Sequence, residues 1–166
     1  MKNNSSTYTN YLSEATSKAP ENRAFLKKLK SKRPSDLDKS AAFLHHKAFE
    51  DIDCLNCANC CKTTSPIITI KDIEKMARRL KIKSSAFIDQ YLTRDEEGDY
   101  VYKSAPCPFL MPDNYCMIYE DRPKACREYP HTDRKKIHQI LNITYKNTFV
   151  CPVVAKVVKG LKTIYK

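Results

Sequence analysis

Apolar side chains recur at helical spacing along several stretches of the chain. Phe25, Leu26 and Leu29 share one side of a segment that opens with Pro20, which predicts a helix over Ala19–Lys32. Leu37, Ala41, Leu44 and Ala48 do the same over residues 35–49, with Ser35 as the expected N-cap and Asp38 three residues on. Pro34 separates the two helices. Thr69 with Asp72 has the form of a capping box ahead of Ile73, Met76, Ala77 and Leu80. Ser84 or Ser85 is expected to cap a further helix that turns Phe87, Ile88, Tyr91 and Leu92 inward. Pro152 starts a last helix, with Val153, Val154, Val157, Val158, Leu161 and Ile164 as its buried stripe.

Two-residue alternation is scarce. Pro66-Ile67-Ile68-Thr69-Ile70 is β-prone, Asp95-Glu96-Glu97-Gly98-Asp99 reads as a turn, and Tyr100-Val101-Tyr102 predicts a brief strand. Residues 106–130 hold five prolines and three cysteines and are expected to be loop-like. Within them Pro112-Asp113-Asn114 suits a tight hairpin, and Pro123 opens one helical turn carrying Cys126. The pattern predicts a mainly α fold with a small β element (α+β), a compact single domain whose loops are organised around a multi-cysteine metal centre. Residues 1–18, rich in Ser, Thr and Asn, are expected to be disordered. Residues 19–50 read as a helical N-terminal extension, and residues 51–166 as a cysteine-cluster domain. No internal repeat is present.

Composition narrows the picture. The 166 residues include no Trp, only two Gly, and ten Tyr against six Phe, a lean supply for an apolar core. A metal that ties loops together would help such a chain fold. Neither a signal peptide nor a transmembrane helix is expected, since no window approaches 18 uncharged apolar residues. The cytoplasm is therefore the expected compartment, where thiols stay reduced and dense cysteines read as metal ligands rather than disulfides. The formal charge of +11 raises the question of a nucleic-acid partner. Eight thiolates around two divalent ions would remove about four of those charges. Lys27-Lys28, Arg78-Arg79 and Arg134-Lys135-Lys136 read as solvated faces with no aromatic platform or recognition module beside them, so nucleic acid is weakly supported.

The chemistry lies in the cysteines. Cys54, Cys57, Cys60 and Cys61 fall within eight residues, and Cys107, Cys116, Cys126 and Cys151 follow singly. A C-x-x-C step lets two sulfurs reach one ion while the backbone turns its N–H groups toward them. If the run were helical, its four cysteines would share an arc of about 120°. The doublet Cys60-Cys61 argues for two metals, a bridging thiolate or a cluster, because adjacent residues rarely enter one tetrahedral site. Eight thiols suit two Cys₄ zinc sites. The spacing of Cys54, Cys57 and Cys60 also matches the first three ligands of a bacterial ferredoxin run, with Cys107-Pro108 and Cys151-Pro152 as remote Cys-Pro pairs. With Pro152 opening a helix, Cys151 is expected at its N-terminus, where the dipole lowers a thiol's pKa.

These motifs resemble the YkgJ-type cysteine-cluster family (CxxCxxCC), described as a zinc- or iron-chelating domain. The resemblance rests on Cys54-x-x-Cys57-x-x-Cys60-Cys61, on Cys107-Pro108-Phe109-Leu110, and on CMIYEDRPKACREYP from Cys116 to Pro130. It implies that Cys54, Cys57, Cys60, Cys61, Cys107, Cys116, Cys126 and Cys151 are the metal ligands. The implied cofactors are zinc or iron ions or an iron–sulfur cluster. Related domains occur in a flagellin lysine N-methylase, which raises an enzymatic alternative in protein modification or redox chemistry. Two glycines and no Gly-rich loop give that alternative little support. A third alternative is a zinc-stabilised module that binds nucleic acid or protein. The protein partner is not legible in the sequence.

Arg122 and Arg127 flank Cys126 and are expected to donate hydrogen bonds to the thiolates from outside the ligand set, with ion pairs to Glu120, Asp121 or Glu128 as the alternative. Tyr119 and Tyr129 read as core residues. His45 and His46 read as exposed helix positions, and His131 as a substitute ligand should one cysteine be free.

Overall fold

The structure, a computed structural model, describes residues 4–166, and side chains from Tyr8 onward. In chain order the described residues form α1 (Asn4–Ser17), α2 (Ala19–Lys32), α3 (Leu37–Phe49), α4 (Cys54–Cys57), α5 (Asn59–Thr63), α6 (Ile70–Arg79) and α7 (Ser84–Tyr91). The strands β1 (Leu92–Arg94) and β2 (Tyr100–Tyr102) come next, then α8 (Lys124–Glu128), α9 (Leu141–Asn147) and α10 (Pro152–Ile164). Short 3₁₀ turns stand at Tyr119–Asp121 and Ile137–Ile140. The fold is mainly α with one small antiparallel sheet, as the patterning predicts.

Two compact units result: residues 1–57 with 130–166, and Ala58–Tyr129. Asn4–Ser17, within the segment expected to be disordered, is helix α1; residues 1–3 lie outside the described part.

In the first unit α10 packs on α3 and α1, and α2 packs on α9. The α10 stripe Val153, Val154, Val157, Val158 and Leu161 is buried as predicted. Ile164 is not: it is 47% exposed in the last turn, so the stripe ends at Leu161. Gly160 allows a close approach to α3, since a Cβ there would lie 2.6 Å from Leu44 Cδ2. Helix α3 starts at Leu37 rather than after a Ser35 cap. Asp38 does not complete a capping box; its carboxylate accepts from the amides of Lys136 (2.6 Å) and Ile137 (3.0 Å) and anchors the following 3₁₀ turn. Lysines of α10 reach acids on the neighbouring helices: Lys159 to Glu14 and Lys162 to Glu21, each at 2.8 Å.

In the second unit α6 opens on the predicted capping box, with Thr69 and Asp72 each bonded to the other's backbone amide. Helix α7 begins at Ser84 with Lys83 in the cap position, so neither serine caps it. Leu92, expected on that helix, starts β1 and pairs with Tyr102 of β2. The turn between the strands is held by Asp95 Oδ1, which accepts from the amides of Glu97 (3.0 Å) and Asp99 (2.9 Å), with Gly98 at φ 86. The β-prone segment at 66–70 contributes only the bridge of Ile68 to Tyr100. The core joins Ile68, Ile73, Met76, Phe87, Tyr102, Phe109 and Ile118. Phe109 lies 6.1 Å from Phe87 in a stacked pair, which roots the proline-rich loop in that core.

Candidate metal centre

The cysteine run is not one helix. Ala58 takes a left-handed conformation (φ 46, ψ 17) and separates α4 from α5. The shared helical arc expected for four cysteines therefore does not form: Cys54 and Cys57 belong to α4, Cys60 and Cys61 to α5. All eight cysteines are free. Among the described residues no three His, Cys, Asp or Glu side chains stand in closed metal-holding geometry. Within the first unit Cys151 feels Cys54 and Cys57, and within the second Cys126 feels Cys61, Cys107 and Cys116.

In the first unit Asp53 Oδ1 accepts from Leu55 N (2.9 Å) and so starts the turn that carries Cys54 and Cys57. Cys151 stands in the N-cap position of α10, ahead of Pro152 as predicted. The amides of Val153 and Val154 are aimed at its sulfur. Burial nevertheless pushes its thiol up to about 12, and charge on Cys54 or Cys57 raises it further. The expected lowering by the helix terminus is thus outweighed by desolvation, because Cys151 is only 9% exposed.

In the second unit the Cys61 carbonyl accepts from Cys107 N at 2.8 Å, tying α5 to the Cys107-Pro108 loop. The amides of Phe109 and Leu110 face the Cys107 sulfur, and the amide of Ile118 faces that of Cys116. Cys116 lies on the return arm of the predicted hairpin, which is closed by the bridge of Leu110 to Cys116 and by Met111 N donating to Tyr115 O (2.8 Å). Cys126 sits on α8, whose first amide, Lys124 N, donates to Asp72 Oδ1 at 2.9 Å. One carboxylate thus caps α6 and fixes the helix of a cysteine. Burial pushes Cys107 up to about 11 and Cys126 up to about 12. Cys116 is raised as well, again by burial first. Negative charge on Cys61, Cys107 and Cys116 raises Cys126 further, so these four thiols feel one another.

Cys61 goes the other way. The Cys60 thiol, 4.0 Å distant, hydrogen-bonds to it, and against burial this bond with the charges of Arg122 and Lys62 brings it down to about 7. The 4.0 Å spacing is close to the ~3.8 Å that separates two thiolates on one tetrahedral zinc. The doublet alone therefore does not require two ions.

Arg122 lies over the Tyr119 ring at 3.6 Å, donates to Tyr119 O (2.8 Å), and its charge favours the thiolates of Cys61, Cys116 and Cys126. Arg127 donates to the Arg122 carbonyl. Two of the acids that could have paired with them are taken elsewhere: Asp121 by Lys75 (3.4 Å) and Arg79 (3.7 Å), Glu128 by Lys124 (3.7 Å). Tyr119 is 39% exposed and stacks on Tyr115, so it is not a core residue; Tyr129 is half-buried. His45 is half-buried rather than exposed, whereas His46 is exposed as expected. His45 Nδ1 is 2.8 Å from Thr132 Oγ1, a tie between α3 and the segment after Pro130. His131 adopts a left-handed backbone (φ 63) beside it.

Two residues at the site escaped the sequence reading. Asp72 had the signal of a helix cap and none of its second bond to α8. Tyr102 read as a strand residue; it lies beside Cys107, Cys126 and Cys116, and burial first, then those thiols, raise its hydroxyl, which donates to Met76 Sδ at 3.5 Å.

The donor set suits a soft or borderline cation: mostly half-buried sulfurs that repel one another as anions, with backbone N–H groups turned toward Cys107, Cys116 and Cys151. No curated protein and no solved structure matches the chain. No helix is long and apolar enough to cross a membrane. A family model covering more than half of the chain, residues 53–151, matches and encloses all eight cysteines. The chain belongs to that family, CxxCxxCC, described as a putative zinc- or iron-chelating domain.

Proposed function

We propose that this protein holds two metal ions, zinc or iron, in two cysteine groups, one rooted in each compact unit. The carrying observation is the division of the thiols: Cys54 and Cys57 raise Cys151, whereas Cys61, Cys107 and Cys116 raise Cys126. Cys60 completes the eight, one C-x-x-C step after Cys57 and beside Cys61. The first group would use Cys54, Cys57 and Cys151, the second Cys61, Cys107, Cys116 and Cys126, and Cys60 would be the eighth ligand, open to either group. Each bound cation would supply the positive charge that keeps buried thiols ionised and would close the loops that carry them. Arg122 offsets negative charge at the second group, and Arg127 holds the Arg122 carbonyl. The readings of a metal-retaining protein and of a reduced, cytoplasmic setting support each other, because free thiols at this density require a reducing compartment.

The ferredoxin-like spacing of Cys54, Cys57 and Cys60 favours an iron–sulfur cluster as the second reading. The left-handed Ala58 inside that run weighs toward separate ions. Anaerobic purification with metal analysis and a visible spectrum decides between them. Two zinc or iron ions per chain without acid-labile sulfide are expected. Brown protein with stoichiometric sulfide would replace the ions by a cluster, and folded, metal-free protein from replete medium would end both readings.

A further inference from the structure

A second feature lies in the first unit, on the side of α2 that packs on α9. An open groove of about 1250 Å³ runs there, bordered by Arg23, Lys27, Lys30, Arg33, Tyr145 and Lys146. That exceeds the ~300–1,000 Å³ of a typical small-molecule pocket. On α2, Arg23, Lys27 and Lys30 are spaced by four and three residues, which places them within about 60° of arc and spreads them over about 10 Å of helix. Arg33 continues the row at the left-handed C-cap. Lys146 stands on the opposite wall, on α9, beside the half-buried Tyr145.

No carboxylate borders the groove, and among the described residues none of the five cations stands within ion-pair distance of an acid. The contrast with the rest of the unit is informative. The only acid of α2, Glu21, is paired to Lys162 at 2.8 Å, and Lys156 and Lys159 of α10 are likewise paired. These α10 lysines tie helices together, whereas the cations of the groove stand near one another with no acid among the groove's lining residues. A row of like charges lowers the stability of the free protein and is relieved by a linear polyanion. Tyr145 adds a π surface in the wall, held edge-on to Phe149 at 5.1 Å. Cations in line with an aromatic ring in a concave channel are the elements that track a single strand: the cations take the phosphates and the ring takes a base. A duplex needs a protruding element to enter its groove, and the concavity here favours a single strand over it.

We propose that the α2–α9 groove is a binding site for single-stranded nucleic acid, separate from the cysteine groups. Tyr145 stacks on a base, and Arg23, Lys27, Lys30, Arg33 and Lys146 contact the backbone. The test uses the full chain loaded with metal and the fluorescence anisotropy of labelled oligothymidylate and oligouridylate at increasing salt. Binding is expected at physiological ionic strength with a steep salt dependence. The variant R23E/K27E/K30E is expected to weaken it by more than about tenfold, and K71E/R78E/K83E, an equal charge change on exposed residues of the other unit, by less than about threefold. Y145L is expected to weaken oligonucleotide binding by about fivefold or more while Y145F preserves it, with inorganic polyphosphate insensitive to both. Far-UV circular dichroism establishes that each variant is folded. Absence of binding, equal losses in the two triple variants, or tighter engagement of phosphatidylserine vesicles or polyphosphate than of the oligonucleotide through the same residues would each overturn the proposal.

Discussion

A thiol holds a cation as the thiolate, so the order in which the cysteines lose protons sets how loading begins. Cys61, drawn down to about 7 by the Cys60 hydrogen bond against burial, with help from Arg122 and Lys62, ionises before Cys107, Cys126 and Cys151 in the metal-free protein. Burial holds Cys107 back to about 11 and Cys126 and Cys151 to about 12. Alkylation of metal-free protein followed by peptide mass spectrometry should therefore modify Cys61 with a midpoint near pH 7. R122Q should move that midpoint upward, and equal reactivity of Cys61 and Cys107 at neutral pH would contradict the assignment. The raised thiols also make stability depend on pH. Their folded values exceed the unfolded value of about 8.5, so the neutral form stabilises the metal-free fold below that pH. That contribution is lost as pH rises from about 8.5 toward the folded values, and denaturant titrations of metal-free protein across this range should show stability falling.

At the scale of elements, short pieces carry the ligands and longer ones hold the pieces. Asp72 joins α6 to α8, and through α8 to Cys126. Burial works against its ionised form, but bonds from Thr69 and the Lys124 amide hold its carboxyl below the ordinary range. Its contribution is present above an unfolded value of about 3.9 and disappears as pH falls through the lower folded one. D72N should lower metal affinity at the second group by about 10- to 100-fold, read by competition with a chromophoric chelator, and leave the first group unchanged. Ala58 makes the break between α4 and α5. Val at that left-handed, buried position should cost about 1–3 kcal/mol in chemical denaturation, whereas Gly should be tolerated.

The same elements show what a sequence can carry. Periodicity and a capping signal were enough to place α2, α6 and α10, because each buries a stripe or is closed by local bonds. Strand β1 has three residues, too few for alternation to register, and its identity comes from Tyr102 across the ladder. Helix α9 is short and follows a basic run, so its role as the wall opposite α2 depends on contacts more than a hundred residues apart in sequence. The eight ligand candidates were legible from spacing and resemblance, but the left-handed turn at Ala58 was not, since Ala carries no signal for positive φ.

For the whole molecule, the two units have different means of support. The second unit surrounds its thiols with an aromatic core of Phe87, Phe109 and Tyr102. The first relies on helix packing, with Gly160 of α10 set against Leu44 of α3. Two ions held in two separable cysteine groups make a direct prediction for native mass spectrometry of the metal-loaded chain. The intact protein should carry two ions; C54S/C57S/C151S and C107S/C116S/C126S should each carry one. Loss of all metal in either triple variant, or a single shared cluster mass in the intact protein, would contradict it.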